Sequence, residues 1–250
     1  MNYECLKSVR IDTPTVAATA STTTTLRLTQ TSDAGVNGTL NDKFGGGVAV
    51  GTKVYFAPLQ QANVGIMDSR IARFDAVNIT SGSTLPNDGR WRYRGAAAVG
   101  TRVYFAPHDE TTVGVFDSRT SIFTRSGSVA SPSTGMFYGA AAVGTKVYFA
   151  PYGMAGVGIV DTSTPAFTSK AVSTTASESR YAGAVAVGTK VYFAPYFENA
   201  VGIFNTPSSS LSAVATTGST VDSKFSGAAA VGTKVGQLCY SDLDTFSLYM

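Results

Sequence analysis

The chain has 250 residues, of which 44% are apolar and 14% charged, and a net charge of +3 at pH 7. The apolar share is enough for a packed core, while the charged share falls well below the roughly 25% of an average soluble domain. Basic residues are scattered rather than clustered, which gives no case for nucleic acid binding, and no apolar run approaches the ~20 residues of a membrane-spanning helix.

In chain order, residues 1–20 read as a flexible leader. They contain no apolar core of signal-peptide length, so the default expectation is a cytoplasmic protein, provided that Met1 is the true start. The two cysteines, Cys5 and Cys239, are too few for a disulfide framework or a four-ligand zinc site. They read as free thiols or as one bridge joining the chain ends. From Thr22 to Thr31 the sequence turns strand-like, with Leu26, Leu28 and Gln30 alternating with polar neighbours. The approach to Phe44 from Gly38 is similar to the approach to Phe225 from Gly218. Residues 21–43 therefore read as the tail of a repeat unit whose head lies elsewhere.

The rest of the chain is a tandem repeat. Gly51-Thr-Lys-Val-Tyr-Phe-Ala-Pro58 returns at Gly100–Pro107 with Arg102 for Lys, at Gly144–Pro151 and at Gly188–Pro195; a broken fifth copy begins at Gly232-Thr-Lys-Val235. The leading glycines are 49, 44, 44 and 44 residues apart, a period that marks a repeat architecture. Each copy opens with a small apolar segment such as Gly95-Ala-Ala-Ala-Val99, followed by a Gly-Thr pair suited to a tight hairpin. The β-branched and aromatic Val-Tyr-Phe-Ala strand comes next, closed by Pro. Five residues intervene before a third strand, Val113-Gly-Val-Phe116 and its equivalents. That strand ends at Asp68, Asp117, Asp161 or Asn205, residues that cap turns. Six residues later Phe74, Phe123, Phe167 or Leu211 opens a fourth, more polar strand.

Four antiparallel strands per copy make one propeller blade. Gly and Ala are poor strand formers but fit an innermost strand crowded round an axis. The expected fold is an all-β, five-bladed β-propeller with blades at about 44–92, 93–136, 137–180, 181–224 and a composite of 225–250 with 21–43. In that ring the N-terminal strand closes the last blade and removes exposed edges. After Val235 the pattern dissolves into Gly236-Gln-Leu-Cys-Tyr240, either a degenerate strand pair or the product of a wrong exon boundary.

The order Gly-Thr-Lys-Val-Tyr, Val-Gly-Ile-x-Asp and an apolar residue six further on resembles the kelch repeat. It resembles equally the YVTN-type repeats of bacterial and archaeal surface proteins. The resemblance covers about residues 44–235 and implies a fold rather than a function. Ala-Pro stands where kelch repeats carry paired glycines, and Phe or Leu where they carry Trp. In such propellers, the resemblance implies, ligands sit on the face bearing the fourth-to-first and second-to-third loops.

Candidate site residues fall on that face. Seven residues before each hairpin glycine stands an aromatic: Phe44, Tyr93, Phe137, Tyr181 and Phe225. A cation precedes four of them, Lys43, Arg92, Arg180 and Lys224, with Met136 breaking the set. One reading is a ring of aromatic platforms and basic donors at the channel mouth, suited to sugars or small anions. The other is that the aromatics wedge between blades and the cations stay solvated. The five-residue loops vary in sequence at constant length, as binding loops do; they present His108 with Asp109 and Glu110, then Tyr152, then Tyr196. The first copy's extra residues fall around Ser81–Asp88, just before the sole tryptophan, Trp91; if they lengthen a loop on the same face, that loop is the strongest single candidate for a ligand contact.

Catalysis has little to stand on. His108 beside Asp109 and Glu110 reads as a solvated cluster rather than an oriented acid–base pair. The inner strands hold no carboxylate, which argues against a glycoside hydrolase. The expected function is a non-catalytic binding or scaffold propeller, monomeric and without cofactor or metal, presenting its variable loops to a protein or glycan partner. The alternative is a carbohydrate-binding lectin with repeated pockets.

Overall fold

The computed structural model describes residues 42–79, 90–129, 133–171, 179–216, 224–239 and a short strand at 248–249. Each full repeat folds as one antiparallel sheet whose strands lie in chain order. The first sheet is β1 (Phe44–Val50), β2 (Lys53–Pro58), β3 (Asn63–Asp68) and β4 (Arg73–Asn78). The second is β5 (Tyr93–Val99), β6 (Arg102–Pro107), β7 (Thr112–Asp117) and β8 (Ile122–Ser128). The third is β9 (Phe137–Val143), β10 (Lys146–Pro151), β11 (Gly156–Asp161) and β12 (Ala166–Ala171), and the fourth β13 (Tyr181–Val187), β14 (Lys190–Pro195), β15 (Ala200–Asn205) and β16 (Ser210–Ala215). A partial fifth sheet holds β17 (Phe225–Val231), β18 (Lys234–Cys239) and the two-residue β19 (Leu248–Tyr249).

Strand alternation builds the core between consecutive sheets. On β6, Val103 and Phe105 pack with Tyr55, Val64 and Ile66 of the first sheet. Their neighbours Tyr104 and Ala106 point the other way and pack with Phe137, Val147 and Phe149 of the third. The same two-sided pattern joins the third sheet to the fourth through Tyr148, Val157, Val191 and Phe193. Within a sheet, rings from strands one, two and four cluster. Tyr93 meets Phe123 edge-on at 5.9 Å and lies 6.2 Å from Phe105; Phe137, Phe149 and Phe167 repeat the arrangement. The third-strand glycine makes room for this cluster. A Cβ on Gly114 would stand 3.0 Å from both Tyr93 and Phe123, so the space is filled by the sheet's own aromatics and not by a neighbouring blade.

The small first strands meet side by side: β1 against β5, β5 against β9, β9 against β13 and β13 against β17. Their glycines force this close approach, since a Cβ on Gly139 would lie 2.6 Å from the Ala184 amide nitrogen. Residues of all five first strands line one central cavity of about 630 Å³. Repeated antiparallel sheets set out in this way fit a β-propeller-like fold.

One expectation needs correction. The described residues make four complete four-stranded sheets and a partial fifth, not five complete blades. Among them, no contact like those between the other first strands joins β17 to β1. The physical reason is in the sequence of β18, where Gly236, Gln237 and Leu238 replace the Tyr, Phe and Ala that anchor the other second strands. Residues 21–41, assigned to closure, lie outside the described residues, as do the leader with Cys5 and the insertion at 81–88. No helix among the described residues is long and apolar enough to cross a membrane.

Candidate binding face

At the end of the sheets that carries the five-residue loops, backbone hydrogen bonds wire each sheet to the next. The His108 N–H donates to the Arg92 carbonyl of its own sheet at 2.9 Å, and the His108 carbonyl accepts from Met136 N–H of the next at 2.9 Å. Tyr152 sits identically between Met136 and Arg180, and Tyr196 between Arg180 and Lys224, all at 2.9–3.0 Å. Leu59 holds the matching place in the first sheet, where its carbonyl accepts from Arg92. The side chains of Leu59, His108, Tyr152 and Tyr196 are thus carried by backbone that is fixed on both sides, a firm base for recognition. Asp68, Asp117 and Asp161 lie at the opposite end, each accepting from an amide two residues on at 2.9–3.0 Å, and act as turn caps.

Of the aromatic set proposed from sequence, only Phe44 lines the central cavity. Tyr93, Phe137 and Tyr181 are buried in the inter-sheet core, and Phe44 and Phe225 are partly buried. Burial raises the Tyr93 hydroxyl pKa well above its ordinary value, and burial together with the nearby Glu198 raises that of Tyr181 to about 12. Three of the four cations, Arg92, Arg180 and Lys224, are buried, and Lys43 is partly buried. Arg92 is 1% exposed and its Nη1 donates to Glu110 Oε1 at 3.1 Å. Arg180 Nε donates to Glu198 Oε1 at 2.6 Å, and Lys224 Nζ to the Phe197 carbonyl at 3.4 Å. These groups brace the loops from beneath. In the third sheet the brace is apolar, with Met136 buried and Met154 in the same cluster.

The rings at this end form a row in which His108 is buried, Trp91, Tyr152 and Tyr196 are partly exposed and Phe197 is exposed. Trp91 lies 5.6 Å from His108, His108 5.8 Å from Tyr152, Tyr152 5.8 Å from Tyr196 and Tyr196 5.1 Å from Phe197. Trp91, His108, Asp109, Gly135 and Tyr152 share a cavity of about 330 Å³. His108 and Asp109 are an oriented pair after all, because the Nδ1–H donates to Asp109 Oδ1 at 2.9 Å. Asp109 is itself held by the Gly135 and Trp91 amides at 2.9 and 3.2 Å. Burial pushes its pKa up, but the hydrogen bonds from His108, Gly135 and Trp91 outweigh that and keep the carboxyl below its ordinary range. The buried His108 Nε2 has no hydrogen-bond partner among the described residues. Among the described residues no group of acidic, His or Cys side chains is arranged to hold a metal.

No known family model matches the chain, and no curated protein is similar to it in sequence. Among solved structures, that of U3-55K superposes with a TM-score of 0.59 at 9% identity, over 82% of this chain and 60% of that one. A nidogen/laminin complex matches at a TM-score of 0.48 and 10% identity, over 66% of this chain and 60% of that one. The likeness is one of fold alone. This chain spans about 60% of the length of either.

Two cavity-lining positions, Arg94 and Tyr138, escaped the sequence reading. One place after the buried aromatic, the first strand points into the central cavity, and there the copies hold Gly45, Arg94, Tyr138, Ala182 and Ser226. The Arg94 guanidinium lies 3.9 Å from the Tyr138 ring centre and 4.6 Å from that of Trp91. The signal was available: this position ranges from Gly to Arg and Tyr, while the rest of the strand only exchanges Phe with Tyr or Gly, Ala and Val with one another.

Proposed function

We propose that the protein is a non-catalytic binding module, acting as a monomer, whose loop-bearing face takes a glycan chain. The observation that carries this is the row of rings from Trp91 to Phe197, of which His108, Tyr152 and Tyr196 are held on doubly fixed backbone, at spacings close to the footprint of a sugar ring. Aromatic faces stack on the apolar side of sugars, and the five-residue loops add polar contacts around them. Equivalent places around the face hold different residues, which supports one composite site over a lectin with repeated pockets. A protein partner is the second reading, favoured by Phe197, 42% exposed at the end of the row.

The test is a glycan array followed by titration of any hit. Binding of one glycan per chain, lost in Tyr152→Ala and Tyr196→Ala while circular dichroism stays unchanged, supports the reading. Several equivalent sites per chain would favour the lectin. No glycan bound, with a protein captured through Phe197, would favour the second reading. The proposal extends to architecture: the unit is a kelch-like or YVTN-type repeat, and residues 21–43 complete a five-bladed ring.

A further inference from the structure

We propose that the central cavity binds the carboxylate of a small acidic sugar, gripped by Arg94. The inference rests on the glycan reading of this face and names the chemical group that enters the channel. Arg94 is the one cation among the described lining residues, and among the described residues no carboxylate lies within ion-pair distance of it. By contrast, Arg92 and Arg180 at the same end each have a glutamate. Asp42 also lines the cavity but is exposed to solvent, where its charge is screened.

Stacking against Tyr138 and Trp91 holds the guanidinium plane in place before any ligand arrives. That leaves the planar fork placed to donate two parallel hydrogen bonds to a carboxylate at little ordering cost. One guanidinium with no second cation beside it suits a monoanion better than a phosphate dianion. The remaining wall is Gly and Ala with Phe44, Leu59 and Ser226; the volume of about 630 Å³ falls in the range of small-molecule sites.

The experiment is calorimetric titration of the full chain with glucuronate, glucose and inorganic phosphate at two salt concentrations. Glucuronate is expected to bind at least tenfold more tightly than glucose or phosphate and to weaken at the higher salt. Arg94→Gln should abolish the preference, and Arg94→Lys should keep only part of it, since charge without the fork is half the recognition. Ser226→Phe, which fills the cavity without touching Arg94, should also block binding and decides the matter if the Arg94 variants fail to fold. No glucuronate binding, equal binding of glucose, tighter binding of phosphate or full binding by Arg94→Gln would each overturn the proposal. Capture of neutral glycans at Tyr152 and Tyr196 with nothing in the cavity would sink this inference and leave the binding-face reading standing.

Discussion

At the scale of single residues, the same amino acid serves two different ends. Gly139 has no side chain because the neighbouring backbone occupies the place of one. Gly144 has none because its φ of 59° suits glycine, and no atom lies within 4 Å of where a Cβ would go. Gly139→Ala must therefore push apart two first strands and should cost about 3 kcal/mol or more, while Gly144→Ala should cost only about 1 kcal/mol of backbone strain. Urea unfolding of the two variants separates these costs; equal losses would show that the first strands are not in backbone contact. The loop braces make a second contrast. Glu110→Ala removes the carboxylate to which the buried Arg92 Nη1 donates and should cost about 2 kcal/mol. The Arg92→Met, Glu110→Met double variant copies the Met136 and Met154 brace of the third sheet and should be more stable than either single change. A double-mutant cycle measures the difference, and strict additivity would deny the coupling.

At the scale of the element, carboxylates pin the turns and the binding face. Hydrogen bonds from Arg119 and Thr120 amides lower the Asp117 pKa, those from Ser163 lower that of Asp161, and Asp109 is lowered as described. A carboxyl with a depressed folded pKa adds stability above its unfolded value of about 3.9, and that stability disappears as pH falls through the folded value. The urea midpoint should therefore hold steady from neutral pH to about 5 and drop below about 4. Asp109→Asn should flatten part of that drop, and an unchanged acid limb would show that the pins are not formed. The repeat period, the strand order and the turn caps were legible because each is local: a hairpin glycine, a β-branched run or an aspartate states its own geometry. The site was less legible because facing is decided by neighbours. Tyr93 and Arg94 are adjacent and equally plausible as channel residues, and only the packing of Tyr93 on Phe105 and Phe123 sends Arg94 inward. The braces could have been read by comparing copies: ten residues after the hairpin glycine stand Gln61, Glu110, Met154 and Glu198, and they change in step with Lys43, Arg92, Met136 and Arg180.

At the scale of the whole molecule, the open question is what covers the first sheet. Its aromatic cluster, Phe44, Phe56 and Phe74, matches the Tyr93, Phe105 and Phe123 cluster in geometry. Yet those three rings are only partly buried, while the later clusters are sealed by the preceding sheet. In a radial array the preceding sheet for the first is the fifth, which is itself short of strands. Both deficits are met at once if residues 21–43 add a strand to the fifth sheet and bring it over Phe44, as proposed. Removing residues 1–41 should then expose these three rings together with an unpaired edge. The melting temperature should fall on the order of 10 °C, and the truncated chain should bind an apolar dye and lose amide protection on β17 and β18. If truncation leaves the melting temperature and the protection of β17 unchanged, this segment does not complete the fifth sheet, and the first sheet needs another cover.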